Sequence, residues 1–108
     1  MNRRYSLHGR GQFARLYQQG RLWSGAGLKI RYLQLSTATP RFAISAPRAY
    51  GNAVARNRAR RVLREVVRHQ LQGWPEGLYH LRIGKAERSM THKSATELIS
   101  LFRSTLDG

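Results

Sequence analysis

Residues 52–70 carry the feature that most restricts the fold, a helical pattern that is apolar on one side and almost entirely arginine on the other. Asn52 is a suitable N-cap, and Gly73 with Pro75 predicts the helix end. At about 100° per residue, the apolar side chains fall within one arc, the width that a core-facing helix needs: Ala55, Ala59, Val62, Leu63 and Val66. The helix is therefore expected to pack on a second layer.

The other side of this helix concentrates positive charge over about 18 Å, with these residues: Arg56, Asn57, Arg58, Arg60, Arg61, Arg64 and Arg68. Glu65 is the one acid between Arg48 and Gln72. Arginines four residues apart repel each other by a few tenths of a kcal/mol per pair. This pattern predicts a surface that binds a polyanion. The alternative is an ordinary solvated basic face, which would normally include more glutamates.

The whole chain has the same bias. Its 108 residues carry a net charge of +15, and only Lys29, Lys85 and Lys93 of the 20 basic residues are lysine. Arginine binds phosphate bidentately and stacks on bases, whereas lysine would serve a purely electrostatic membrane surface equally well. Nucleic acid is therefore the favoured partner, ahead of an anionic membrane surface or an acidic protein.

Length and composition limit the remaining possibilities. A chain of 108 residues is expected to form a single domain, with residues 1–9 loosely held. There is no cysteine, no apolar run of membrane-spanning length and no secretory signal in the first twenty residues. We therefore expect a soluble, cytoplasmic, membrane-free protein.

Weaker patterns predict the other elements. Helical spacing indicates helices over residues 12–19 and 94–106, the second with Leu98, Leu101 and Phe102 inward, after a loop over 89–93. Period-two alternation indicates strands over 27–35, 41–46 and 78–83, and the first two are expected to pair as an antiparallel hairpin. The order α-β-β-α-β-α predicts a two-layer fold of the α/β or α+β class.

Nothing in the sequence indicates a catalytic centre or a metal site in the protein itself. The five acids are scattered at intervals of ten or more: Glu65, Glu76, Glu87, Glu97 and Asp107. A two-metal nuclease normally clusters its carboxylates. The four histidines lack the helical spacing of metal ligands: His8, His69, His80 and His92. We therefore expect no catalytic residue and no bound metal.

Residues 50–65, Tyr-Gly-Asn-Ala-Val-Ala-Arg-Asn-Arg-Ala-Arg-Arg-Val-Leu-Arg-Glu, resemble the protein subunit family of bacterial ribonuclease P. The family pattern is a strand, then Gly-Asn-Ala-Val, then Arg-Asn-Arg and a basic pair on one helix. The resemblance extends from about residue 7 to 106, through Phe13, Tyr17, Gly20, Tyr79 and Lys85. This chain departs from the pattern in three places: Pro47-Arg48-Ala49 before the glycine, Arg31 where an aromatic is common, and Val67 for a phenylalanine.

The resemblance implies an α/β sandwich of the α+β class with a left-handed βαβ crossover, a fold shared with a ribosomal protein domain. It also implies a partner RNA that is itself the catalyst and cleaves the 5′ leader from precursor tRNA. The Mg²⁺ ions that this reaction requires would be held by the RNA, so the chain would bind no cofactor of its own. The protein would bind both RNAs, and no protein oligomer is required.

Two surfaces follow from this reading. The arginine side of the central helix would dock on the catalytic RNA, with Arg58 turned toward the sheet. The first helix and the sheet would form a cleft for the single-stranded leader, lined by Phe13, Tyr17, Lys29, Arg31, Ser45 and Arg48. An alternative for Phe13 and Tyr17 is an ordinary core stripe. Rival functions are a ribosomal or other structural RNA-binding protein, a DNA-binding module and an autonomous nuclease.

Overall fold

A computed structural model of the chain describes residues 5–7, 9–84 and 90–106. Its elements follow the order α-β-β-β-α-β-α: α1 Arg10–Gln19, β1 Arg21–Gly25, β2 Leu28–Gln34, β3 Arg41–Ser45, α2 Ala53–His69, β4 Gly77–Ile83 and α3 His92–Leu106. Two short 3₁₀ turns, Arg48–Tyr50 and Leu71–Gly73, flank α2. The predicted helices and strands are all present, and β1 is an additional strand.

One mixed sheet of four strands has the order β1-β2-β4-β3. Strand β2 pairs antiparallel with both β1 and β4, whereas β3 pairs parallel with β4. Because parallel neighbours need a crossover connection, the chain passes from β3 through α2 to β4 as a βαβ unit. The α+β architecture with a small mixed sheet is confirmed.

The predicted hairpin between residues 27–35 and 41–46 is wrong, because β4 lies between these two strands. Alternation fixes which face a side chain takes, but it does not choose the neighbouring strand. The connection between β2 and β3 passes the start of β4, where the Gly77 N–H donates to Thr37 Oγ1 at 3.0 Å. The true hairpin is β1–β2, closed by Ala26 and Gly27, the latter with a φ of 77°.

Strand β1 gave no clear signal because it is a short edge strand of five residues with mainly exposed side chains. Only Trp23 of this strand packs on the main core, where its ring lies 5.7 Å from that of Phe102. An edge strand with little buried surface has little reason to alternate in hydrophobicity.

The two faces of the sheet are buried by different helices. One face, with Ile30, Phe42, Tyr79 and Leu81, packs with α2 and α3 in the main core. The other face packs with α1 in a small cluster built on Leu7, Leu16 and Leu78. Because α1 has only ten residues, it covers one end of its face and leaves the rest open.

The helix boundaries follow their caps. Asn52 caps α2 as predicted, its Oδ1 accepting from the Ala55 N–H at 2.9 Å. The last two residues of the predicted 89–93 loop belong instead to α3, because Thr91 and Ser94 exchange hydrogen bonds at the helix start. Ser89 lies outside the described residues.

The prediction that Leu101 points inward is wrong, since it is 59% exposed. The buried stripe of α3 has the spacing i, i+3, i+4, i+7, which leaves Leu101 off its axis: Ala95, Leu98, Ile99 and Phe102.

The expectation that residues 1–9 are loosely held is wrong for Ser6 and Leu7. Ser6 forms a parallel bridge with Phe42, and the Leu7 N–H donates to the Phe42 carbonyl at 2.8 Å. The Leu7 side chain is buried beside α1. The buried Leu7 and the partly buried Tyr5 supply the apolar packing of this segment. Tyr5 also packs on the main core, and Gly9 is the N-cap residue of α1. Residues 1–4 and 8 lie outside the described ranges.

Candidate nucleic-acid interface

The outward side of α2 forms a continuous basic surface, hereafter the α2 arginine face. Its apolar side is buried as predicted at Ala59, Val62, Leu63 and Val66, and Val67 is buried as well. Ala55, which was predicted to belong to the buried side, is only half-buried. The Arg56 and Arg60 side chains are half-buried, and the rest of the face is exposed: Asn57, Arg58, Arg61, Arg64 and Arg68. The Arg60 guanidinium donates to Asn57 Oδ1, which holds it along the helix surface.

No carboxylate of the described residues forms an ion pair with an arginine of this face. Among residues 5–7, 9–84 and 90–106, the one ion pair within 4 Å joins Glu65 Oε2 to His92 Nε2 at 2.7 Å. The acid of α2 is therefore turned to α3 and not to an arginine. The hydrogen bond from His92, with the charges of Arg61 and Arg68, lowers the pKa of Glu65. The arginines keep their charge free for an external anion.

A second basic surface lies on the opposite side of the sheet, where α1 leaves the strands uncovered. Strand register brings Arg31 of β2 opposite His80 of β4, with Lys29 opposite Arg82 one step along the same face. Ser45 of β3 reaches the same floor through its contact with His80. The open floor with its α1 wall is called the cleft here, and its residues are Phe13, Tyr17, Lys29, Arg31, Ser45, His80 and Arg82.

His80 lies at the centre of the cleft and joins three elements. Its Nδ1 is 2.5 Å from the Tyr17 hydroxyl, and its Nε2 is 3.0 Å from the Ser45 hydroxyl. The rings of Phe13 and Tyr17 meet the imidazole edge-on, at 5.7 and 5.8 Å between centroids. Burial, followed by the charges of Arg82 and Arg31, lowers the pKa of His80. Its basic and partly buried surroundings therefore favour the neutral imidazole.

Arg31 takes the place in the cleft where the resembled family commonly has an aromatic. Its guanidinium carbon lies 4.6 Å from the centroid of the Tyr17 ring, the geometry of a cation–π contact. Tyr32 does not replace the missing aromatic, because it points to the main core, where its ring is 5.1 Å from that of Phe102. The aromatic wall of the cleft thus comes from α1.

The structure separates the predicted cleft residues. Tyr17 is 45% exposed, which argues against the core-stripe alternative for it, whereas Phe13 is half-buried and also packs on the α1 cluster. Lys29 and Arg31 lie on the floor of the cleft, opposite Arg82 and His80. Arg48 is exposed in the 3₁₀ turn that leads from β3 to α2.

Sequence reasoning missed His80 and Arg82 as cleft residues. The signal was available in the alternation of β4, since both residues lie two positions apart and opposite in phase to Tyr79, Leu81 and Ile83. The alternation that marks the apolar face of β4 thus also marks its polar face.

The cleft is basic throughout. No Asp or Glu lies on α1 or on any of the four strands. Within the described part of the chain, no three His, Asp or Glu side chains come together as metal ligands would. None of the helices in the same ranges is long and apolar enough to cross a bilayer. The α2 arginine face offers guanidinium groups, and the cleft offers cations, aromatic rings and hydroxyls. These are groups that bind phosphates and bases.

Comparison with known proteins identifies the family of the chain. The model of the family described as Ribonuclease P matches residues 1–106. The chain belongs to the ribonuclease P protein family. A relative named ribonuclease P protein component from Symbiobacterium thermophilum is 41% identical over 69 residues, which are 63% of this chain and 60% of the relative. One of the same name from Coprothermobacter proteolyticus is 33% identical over 84 residues, 78% of this chain and 63% of the relative. The chain thus spans about six tenths of these relatives.

Solved structures of the family share this fold at low sequence identity. The ribonuclease P protein of Staphylococcus aureus superposes with a TM-score of 0.80 at 19% identity, covering 94% of each chain. The protein of Thermotoga maritima gives 0.73 at 19% identity, covering 92% of this chain and 96% of that one. At this identity, the likeness supports the α+β fold alone.

Proposed function

We propose that this chain is the protein subunit of ribonuclease P and assists the removal of the 5′ leader from precursor tRNA. The observation that carries the proposal is a sheet with a basic surface on each side, and the two surfaces differ in chemistry. The α2 arginine face is a row of guanidinium groups carried by a regular helix, whereas the cleft combines cations with the exposed Tyr17 ring.

The α2 arginine face suits the folded catalytic RNA. Structured RNA presents regularly spaced phosphates on an A-form surface and is recognised mainly by shape. A helix fixes the backbone positions of its arginines at regular intervals, so several phosphates can be bound at once without further ordering of the backbone. The absence of carboxylate partners among the described residues of this face supports an external anion as the partner.

The cleft suits a single-stranded leader. Its floor supplies Lys29, Arg31 and Arg82 for backbone phosphates, and Tyr17 supplies a ring on which a base can stack. Stacking contributes about 1–3 kcal/mol per base and tolerates any base, which a protein that handles many different leaders needs.

Catalysis would belong to the RNA and its Mg²⁺ ions. The described acids Glu65, Glu76 and Glu97 lie on α2, before β4 and on α3, all outside the cleft. The protein would lower the Mg²⁺ requirement by neutralising phosphates, hold no cofactor itself and act in the cytoplasm without forming an oligomer.

The test is reconstitution with the cognate ribonuclease P RNA and a precursor tRNA at low Mg²⁺. We expect the chain to stimulate cleavage at the 5′ end of the mature tRNA and to cut nothing without the RNA. A structural RNA-binding protein would bind RNA without stimulating cleavage, and an autonomous nuclease would cut alone. Either result would overturn the proposal.

A further inference from the structure

We propose that His80 is a positioning residue of the cleft, which holds Tyr17 and Ser45 in place and takes up a proton when an RNA phosphate enters between Arg31 and Arg82. The inference rests on the proposed function for the identity of the RNA, the 5′ leader. It assigns His80 a role in binding and makes leader affinity depend on pH.

The first step is the position of the imidazole. Tyr17 belongs to α1 and Ser45 to β3, and both hydroxyls reach the same ring from opposite sides. A half-exposed tyrosine at the edge of a short helix would otherwise be free to change rotamer. The Tyr17 hydroxyl is hydrogen-bonded to His80 Nδ1, and the Arg31 guanidinium lies over the Tyr17 ring. These two contacts fix the Tyr17 side chain before RNA binds. Preorganised side chains lose less entropy on binding.

The second step is the versatility of the two hydrogen bonds. A neutral imidazole has one donor and one acceptor nitrogen, whereas the protonated ring has two donors. Both partners are hydroxyls, which donate or accept as required. The bridge therefore survives protonation, and gaining a proton changes the charge of the cleft without releasing Tyr17 or Ser45.

The third step is the electrostatic surroundings. The groups on the same face around His80 are Tyr17 and Phe13 from α1, Arg31 and Lys29 from β2, Ser45 and Arg41 from β3, and Arg82 from its own strand. All the charges in this set are positive, and the elements that carry them contain no acid. They oppose a further proton, in agreement with the lowered pKa of His80.

A phosphate between the two arginines reverses this balance. Its negative charge offsets Arg31 and Arg82 and attracts an imidazolium directly. Binding then raises the pKa of His80, and by linkage the RNA binds more tightly at low pH. For each unit by which the pKa rises, affinity increases about tenfold on passing from above to below the transition.

The direct test follows the His80 ring by NMR in the full chain, across pH 5 to 8, without and with a short single-stranded RNA oligonucleotide. We expect the pKa of His80 to rise by about one unit on binding. The ring signals of His69, an exposed histidine outside the cleft, should change less on binding and serve as the internal control. An unchanged pKa of His80 in the RNA-bound chain overturns the inference.

The second test measures the affinity of the reconstituted holoenzyme for precursor and mature tRNA at pH 5.5 and 7.5. The wild-type preference for the precursor should be larger at pH 5.5. His80→Asn keeps hydrogen-bonding groups but cannot be protonated in this range, so it should retain part of the preference and lose its pH dependence. Tyr17→Phe should weaken the preference and keep the pH dependence, since His80 is intact.

Failure of the two proposals gives different results. If the wild-type holoenzyme prefers the precursor and His80→Asn keeps the wild-type pH dependence, the role of His80 is overturned and the leader cleft stands. If the wild-type shows no preference for the precursor at either pH, the proposed function fails, and the oligonucleotide titration decides the role of His80 by itself. His69→Asn is the matched variant and should behave as wild-type.

Discussion

Arg31 and Tyr17 form the cation–π pair of the cleft, with the guanidinium carbon 4.6 Å from the ring centroid. The pair joins a strand to a helix and places a charge beside the ring that is available for stacking. In the chain they are 14 residues apart, Tyr17 in a helix and Arg31 in a strand, so no local repeat of the sequence relates them. The contact exists because β2 and α1 meet on the same face of the sheet.

Replacing this guanidinium should weaken leader binding. We expect Arg31→Ala to reduce holoenzyme affinity for precursor tRNA by roughly 3- to 30-fold, since it removes a phosphate contact and the cation–π contact, about 0.5–2 kcal/mol, that positions Tyr17. Affinity for mature tRNA should change little. Arg21→Ala is the matched control, because Arg21 pairs with Tyr32 and belongs to the opposite phase of the sheet. Equal losses for both tRNAs would argue against a leader contact.

The α2 arginine face should control binding of the catalytic RNA. We expect the triple variant Arg60→Gln, Arg61→Gln, Arg64→Gln to reduce affinity for ribonuclease P RNA and to lower the slope of log affinity against log salt by about 2–3 units, given about 0.7–0.9 per phosphate. A variant with the same loss of charge at Arg10, Arg15 and Arg21 should keep most of the slope. If the two variants gave the same slope of log affinity against log salt, RNA binding would depend on the net charge of the chain and not on the arginines of α2.

The helix cap should contribute measurably to stability. Asn52→Ala removes the acceptor of the Ala55 N–H, and we expect it to lower the free energy of unfolding by about 0.5–2 kcal/mol. Thermal denaturation should show a Tm lower by about 5 °C. Asn57→Ala, in the interior of the same helix, serves as the control and should have a smaller effect. A Tm of Asn52→Ala equal to wild-type would assign the helix start to other residues.

Stability should fall on mild acidification because of His80. Its pKa is lowered in the folded chain from 6.5, so below that pH the unfolded chain binds the proton more readily. The free energy of unfolding therefore decreases as pH falls from about 6.5 toward the folded-state pKa. Glu65 has a lowered pKa starting from 4.5, so its stabilising contribution is lost only at more acidic pH. Urea titrations at pH 7.5, 6.5 and 5.5 measure the slope, which should be shallower in His80→Asn.

Anions should stabilise the free protein. A net charge of +15 produces self-repulsion that a bound anion relieves, and an anion that binds the folded arginine face shifts the equilibrium toward the native state. Sulfate should raise the Tm more than sodium chloride at the same ionic strength. The triple α2 variant should gain less from sulfate than wild-type does. A purely ionic-strength effect would give equal shifts for the two salts.

The sequence by itself determined the elements that depend on local periodicity. The α2 stripe, the Asn52 cap and the alternation of Leu28, Ile30 and Phe42 are set by residues close in the chain, and local patterns report them directly. The arginine composition likewise predicts a polyanionic partner, because net charge depends on composition and not on the arrangement of the elements.

The tertiary structure alone decided how these elements are combined. Strand β4 entered between β2 and β3 because pairing depends on contacts between segments far apart in sequence, which period-two alternation does not encode. That insertion places His80 between Arg31 and Ser45 and beneath Tyr17. Tyr17 and His80 are 63 residues apart in the chain. Each of these residues alone reads as an ordinary surface side chain. Their chemistry as a group arises only when four elements meet on one face of the sheet.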